Sequence, residues 1–127
     1  MGVGVGKTVL VVDDDPSLRM LCRVNLELDG YRVLEAGSVE DAQSALERER
    51  VDAMLLDFHL GDRDGRELLL ALGDDRPPVA LFTGSYKIEP ELRALADDVL
   101  PKPFSLDALA ATVRGLVLSR IGIDSAR

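Results

Sequence analysis

The sequence predicts an α/β domain: a doubly wound, five-stranded parallel sheet with helices on both faces. Three observations predict it. Five short apolar runs recur along the chain, each followed by a segment with helical apolar spacing. Such alternation implies parallel strands joined by right-handed crossovers. The runs are nearly continuous in Val, Leu, Ala and Met, as strands buried on both faces must be.

The elements follow in order. Residues 1–6 are expected to form a flexible tail before the first strand, Val9 to Val12. Pro16 suits the first turn of a helix carrying Leu18, Leu21, Cys22 and Leu28, which stops at Gly30. Tyr31 to Leu34 is the second strand. Ser38 and Asp41 resemble a capping box ahead of Val39, Ala42, Ala45 and Leu46. Ala53 to Leu56 is the third strand. A Gly- and Asp-rich loop leads to a helix with Leu68, Leu69 and Leu72. Pro77 and Pro78 precede the fourth strand, Val79 to Phe82. Pro90 starts a helix with Leu92 and Leu95, and Val99–Leu100 is the short fifth strand. Ser105 caps a last helix with Leu106, Leu109, Val113 and Leu116. Residues 7–120 form the domain, and 121–127 are expected to be a tail or linker stump.

Composition narrows the function. The chain has 127 residues and a net charge of −8, which disfavours direct contact with nucleic acid or anionic lipid. One cysteine precludes an internal disulfide and any Cys-based zinc site. No apolar run approaches the roughly 20 residues of a membrane span, so a cytoplasmic protein without membrane contact is expected.

In doubly wound sheets, ligands sit beyond the carboxyl ends of the strands. There the sequence places Asp13, Asp14 and Asp15 after the first strand, Asp57 after the third, Thr83 and Gly84 after the fourth and Lys102 after the fifth. Clustered carboxylates repel one another unless a cation joins them. A hard divalent ion such as Mg²⁺ does so while leaving sites for phosphoryl oxygens. An Asp carboxylate is also a nucleophile toward phosphorus, and Lys102 and the Thr83 hydroxyl suit the charge of a transferring phosphoryl group.

Bland readings cover the neighbours. Asp15 serves as a helix cap, while Asp62 and Asp64 belong to loop and turn chemistry. Asp97 and Asp98 sit in the turn before the fifth strand. Cys22 is a small core residue, and the single histidine, His59, lacks the companions of a zinc site. Gly6-Lys7-Thr8 ends like a phosphate-binding loop but precedes its strand instead of following it.

The motifs Val-Leu-Val-Val-Asp-Asp-Asp-Pro (9 to 16), Met-Leu-Leu-Asp (54 to 57), Asp64-Gly65, Phe-Thr-Gly (82 to 84) and Ala-Asp-Asp-Val-Leu-Pro-Lys-Pro-Phe (96 to 104) together resemble the receiver domain of two-component response regulators. The resemblance runs from Lys7 to about Arg120. It implies a flavodoxin-like fold of strand order 2-1-3-4-5. It implies Asp13 and Asp14 as the Mg²⁺-binding pair, Asp57 as phosphoacceptor and metal ligand, Thr83 as switch hydroxyl and Lys102 as phosphoryl contact. His59 occupies the place whose backbone carbonyl completes the metal shell. The implied partners are a sensor histidine kinase or phosphotransfer protein and a downstream effector or linked output domain. A homodimer would form through the fourth helix, fifth strand and fifth helix.

Four positions stand apart within the family pattern. Val99 replaces the usual aromatic three residues before the lysine, so the usual threonine–aromatic coupling cannot run unchanged. Gly61 stands where proline is common. His59 and Ser85 occupy the two positions that tune acyl-phosphate lifetime in the family. Two other functions compete. Asp13-Asp14-Asp15 also satisfies the nucleophile motif of haloacid-dehalogenase-type phosphatases, although the chain is short, Asp97-Asp98 precedes the lysine and Asp57 would have no role. The other is a phosphorylation-independent interaction module, to which Val99 lends weight.

Overall fold

The computed structural model describes residues 5–84 and 89–120, with Leu92 described by its backbone alone. Expectations for residues 1–4, Ser85, the Leu92 side chain and residues 121–127 lie outside that range. The elements are β1 (Thr8–Val12), α1 (Pro16–Leu28), β2 (Arg32–Ala36), α2 (Val39–Arg48), β3 (Ala53–Asp57), β4 (His59–Leu60), β5 (Arg63–Asp64), α3 (Gly65–Leu72), β6 (Val79–Thr83), α4 (Pro90–Leu95), β7 (Asp98–Pro101) and α5 (Leu106–Arg120).

Five strands form one parallel sheet in the order β2-β1-β3-β6-β7, which is the expected 2-1-3-4-5 order of the five main strands. β4 and β5, of two residues each, form a separate antiparallel hairpin within the stretch expected to be a Gly- and Asp-rich loop. Gly61 turns it at φ +65°, a conformation that glycine adopts without steric cost.

Alternate side chains of the strands serve two cores, because successive residues point to opposite faces. Val9, Val11, Leu55 and Phe82 pack with Cys22 and Leu26 of α1 and with Leu109, Val113 and Leu116 of α5. Leu10, Val12, Met54, Leu56 and Leu81 pack with Val39, Ala42 and Ala45 of α2 and with Leu68 and Leu69 of α3. β1, β3 and β6 are buried throughout. The second strand begins one residue later than expected and runs two further, to Ala36.

On α1 the apolar pattern misleads. Leu28 is 80% exposed and Leu21 is 45% exposed, whereas Leu26 is buried. Leu106 at the start of α5 is also exposed. The expected caps form: Ser38 Oγ accepts from Asp41 N at 3.1 Å, and Ser105 Oγ from Ala108 N at 3.0 Å. Asp64 caps α3 by accepting from Glu67 N. Among the described residues no helix is long and apolar enough to cross a membrane.

Candidate functional site at the carboxyl ends of the strands

β1 delivers Asp13 directly from the sheet. Its N–H donates to Ala36 O at 3.0 Å, one step beyond the β1–β2 ladder. Its Oδ1 then accepts from Asp15 N at 2.9 Å, which turns the chain out of the strand. Asp15 caps α1 by accepting from Ser17 N and Leu18 N, with Pro16 in the first turn. Asp13 is therefore buried, while Asp14 and Asp15 face solvent.

β3 delivers Asp57 opposite Phe82 of β6. Asp57 Oδ1 accepts from His59 N at 3.4 Å. The hairpin folds back so that Gly65 N donates to Phe58 O at 2.7 Å. A Cβ at residue 65 would stand 2.9 Å from the Asp57 carbonyl and 3.2 Å from the Leu56 side chain. Glycine there permits the close approach of α3 beneath the acid. The hairpin tip is tied down by Gly61 N donating to Asp14 Oδ2 at 3.1 Å.

Lys102 comes from the loop after β7. Its N–H donates to Thr83 O at 2.7 Å, so the ends of β6 and β7 stay paired. Its Nζ lies 2.9 Å from Asp13 Oδ2 and 3.5 Å from Asp57 Oδ2. The ammonium sits 5.6 Å from the centroid of the Phe82 ring, which stacks on Phe104. This apolar wall supports the stem and sets the reach of the charged head.

Carboxylate oxygens of Asp13, Asp14 and Asp57 lie within 4.8 Å of one another. Burial, then the charge of Asp13, pushes the Asp57 pKa above its ordinary value despite Lys102. Burial works against the Lys102 charge, but the hydrogen bond to Asp13 and the charges of Asp57 and Asp13 outweigh it and raise that pKa too. Three oxygen donors and one ammonium thus share a cleft in which negative charge is under-compensated. That donor set fits a hard divalent cation, which takes carboxylate oxygens and retains water.

The structure brings together Asp13, Asp14, Asp57 and Lys102. Thr83 is buried at the adjacent strand end. His59 sits beside them on the hairpin, its exposed ring stacked on Phe58. Val99 is half-buried in β7 opposite Leu81. Sequence reasoning missed the Gly61–Asp14 tie and the close approach at Gly65. Glycine at both positions was the available signal.

The model of the response regulator receiver domain matches residues 9–114. The chain belongs to that family. The receiver domain is 36% identical over 123 residues to the probable transcriptional regulatory protein TcrX of Mycobacterium tuberculosis, covering 93% of this chain and 52% of that protein. It is 35% identical to the phosphate regulon transcriptional regulatory protein PhoB of Pseudomonas aeruginosa, covering 93% of this chain and 54% of PhoB. The chain thus spans about half the length of these relatives. Among solved structures, a CheY-like receiver domain protein from Methanospirillum hungatei superposes with a TM-score of 0.82 at 28% identity, covering 91% of this chain and 96% of that one. The response regulator TrrA of Thermotoga maritima, crystallised in complex with Mg²⁺-BeF, superposes at 0.78 with 27% identity, covering 87% and 98%.

Proposed function

We propose that this receiver domain accepts a phosphoryl group on Asp57 from the phosphohistidine of a sensor histidine kinase or phosphotransfer protein. The observation that carries the reading is the Asp57 carboxylate, buried within 4.8 Å of the Asp13 and Asp14 oxygens and 3.5 Å from the Lys102 ammonium. An Asp57 oxygen attacks phosphorus, the P–N bond breaks and the imidazole leaves with the electron pair. Lys102 and the Thr83 hydroxyl hold phosphoryl oxygens as charge spreads over them. Asp13, Asp14, Asp57 and the His59 carbonyl would hold Mg²⁺, which when bound supplies charge neutralisation at the phosphoryl oxygens. The Mg²⁺ present in the Thermotoga maritima relative supports this part of the reading.

The domain promotes its own phosphorylation and the later hydrolysis of the acyl phosphate, and turns over no external substrate. A haloacid-dehalogenase-type phosphatase would use Asp13 as nucleophile. In this site Asp13 accepts from both Asp15 N and Lys102 Nζ and is 1% exposed, a poor disposition for attack.

The phosphoryl group would bias two conformations, by about 1.4 kcal/mol for each tenfold shift in their ratio. The responding surface is α4, β7 and α5, next to Thr83 and Lys102. It would contact an effector, a linked output domain or a second copy of the chain. Val99 removes the aromatic from that route, so the signal travels through the strand ends themselves. The compartment proposed is the cytoplasm, whose reducing chemistry suits Cys22 as a free thiol. Burial, and secondarily the charge of Asp13, raises the Cys22 pKa to about 12.

The test is incubation with acetyl phosphate and Mg²⁺, read by intact mass and by the site of the acyl phosphate. Wild-type protein should gain one phosphoryl group at Asp57, Asp57→Asn should gain none, and chelation should abolish the gain. Label on Asp13, or an equally labelled Asp57→Asn, would overturn the assignment.

A further inference from the structure

Asp13 has a partner for each of its polar atoms. Its N–H donates to Ala36 O, Oδ1 accepts from Asp15 N and Oδ2 from Lys102 Nζ. Its carbonyl accepts from Arg19 Nη1 at 2.6 Å. That last contact comes from a half-buried side chain of α1 whose guanidinium is itself braced. Arg19 Nε donates to Glu35 Oε1 of β2 at 3.1 Å, and Glu35 Oε2 lies 3.4 Å from Arg23 Nη1. The guanidinium occupies room that residue 37 leaves free. A Cβ on Gly37 would stand 3.1 Å from Arg19 Nη1. Gly37 has no positive φ, so the conformation itself does not call for glycine there.

The carbonyl that Arg19 grips belongs to the peptide plane joining Asp13 to Asp14. A peptide plane is rigid, so fixing its carbonyl fixes where the Asp14 Cα leaves it. One fork thus orients both acids at the point where strand gives way to helix. Arginine suits the task because its planar guanidinium reaches two acceptors at once, which an ammonium does with less geometric definition. We propose that Arg19, braced by Glu35 and admitted by Gly37, is a positioning residue that aims Asp13 and Asp14 at the divalent cation. The proposal rests on the reading above, that these acids hold Mg²⁺.

The experiment uses the full chain and the variants R19Q, R19K, E35Q and G37A. Mg²⁺ affinity is measured by calorimetry, and the Mg²⁺ dependence of Asp57 phosphorylation by acetyl phosphate is recorded alongside. Loss of an outer partner of a metal site weakens metal binding by about 10- to 100-fold. R19Q should therefore raise the Mg²⁺ dissociation constant about tenfold. E35Q and G37A should raise it less, and R19K should fall between R19Q and wild type. The phosphorylation rate at saturating Mg²⁺ should stay close to wild type. A merely structural arginine would lower thermal stability without moving Mg²⁺ affinity, and that result overturns the proposal. R19K matching wild type would reduce the effect to charge and also overturn it. Should R19Q fail to fold, E35Q and G37A decide: unchanged affinity in both refutes positioning. A wild-type protein that binds no Mg²⁺ overturns the underlying reading instead, and is recognised without any variant.

Discussion

Replacing Lys102 by methionine removes the ammonium that lies 2.9 Å from Asp13 and 3.5 Å from Asp57 while keeping a stem of similar volume against Phe82. The size of the effect follows from the geometry. Two carboxylates within 4.8 Å repel by about 3.5 kcal/mol at an effective dielectric constant of about 20. The penalty has a ceiling, because Asp57 can take up a proton instead. That costs about 1.4 kcal/mol per pH unit, or about 4 kcal/mol between an ordinary carboxylate pKa and pH 7. It has a floor of about 1.5 kcal/mol, the lower end for a hydrogen bond to a charged group. The 26% exposure of the Lys102 side chain argues for the lower half of the interval, about 1.5–2.75 kcal/mol.

Urea unfolding in metal-free buffer at pH 7 should show the loss as a midpoint about 1–2 M lower with an unchanged slope. The pH dependence has a definite sign. The Asp57 pKa is raised in the folded state, so its contribution to stability is fully present below the unfolded value and is lost as pH rises through the folded value. Lys102 lowers that pKa in the wild type, so in the variant the folded value lies higher and the loss continues to a higher pH. The penalty should be smaller near pH 3.5 than at pH 7. A variant as stable as wild type at pH 7, or one with the same deficit at both pH values, would refute the picture of an ammonium-compensated acid cleft.

Gly65→Ala places a Cβ 2.9 Å from the Asp57 carbonyl, so α3 or Asp57 must move; unfolding should show a loss of about 1–3 kcal/mol, and phosphorylation by acetyl phosphate should slow. Mg²⁺ at 100 times its dissociation constant should stabilise the wild-type fold by about 2.7 kcal/mol in thermal unfolding, and Asp14→Asn should lose most of that gain. At the opposite end of the sheet, the buried Asp52 accepts from Thr8 N at 2.9 Å; Asp52→Ala should cost about 1–3 kcal/mol in urea unfolding without changing the rate of Asp57 phosphorylation.

The fold was legible because its signals are local. Continuous apolar runs mark strands buried on both faces, and Ser38, Ser105 and Pro16 mark helix starts whose bonds span three residues or fewer. The α1 pattern misled because the expected stripe passed over Leu26, which lies four residues after Cys22 on the same face, and took in Leu28, which six residues on points about 120° away. Leu26 reaches the core that Cys22 also lines, while Leu21 and Leu28 stay in water. The hairpin of β4 and β5 was invisible because two-residue strands carry no periodicity.

By itself the sequence determined the alternation of strands and helices and the identity of the groups at the strand ends, because residue order and residue type are one-dimensional facts, while the strand order was implied only by the family resemblance. Tertiary structure alone decided that Asp13 is buried while Asp14 is open, that Gly65 must lack a side chain and that Arg19 reaches back to the Asp13 carbonyl. Those outcomes depend on distances of a few ångströms between segments far apart along the chain, and such distances exist only once the sheet and its helices have packed.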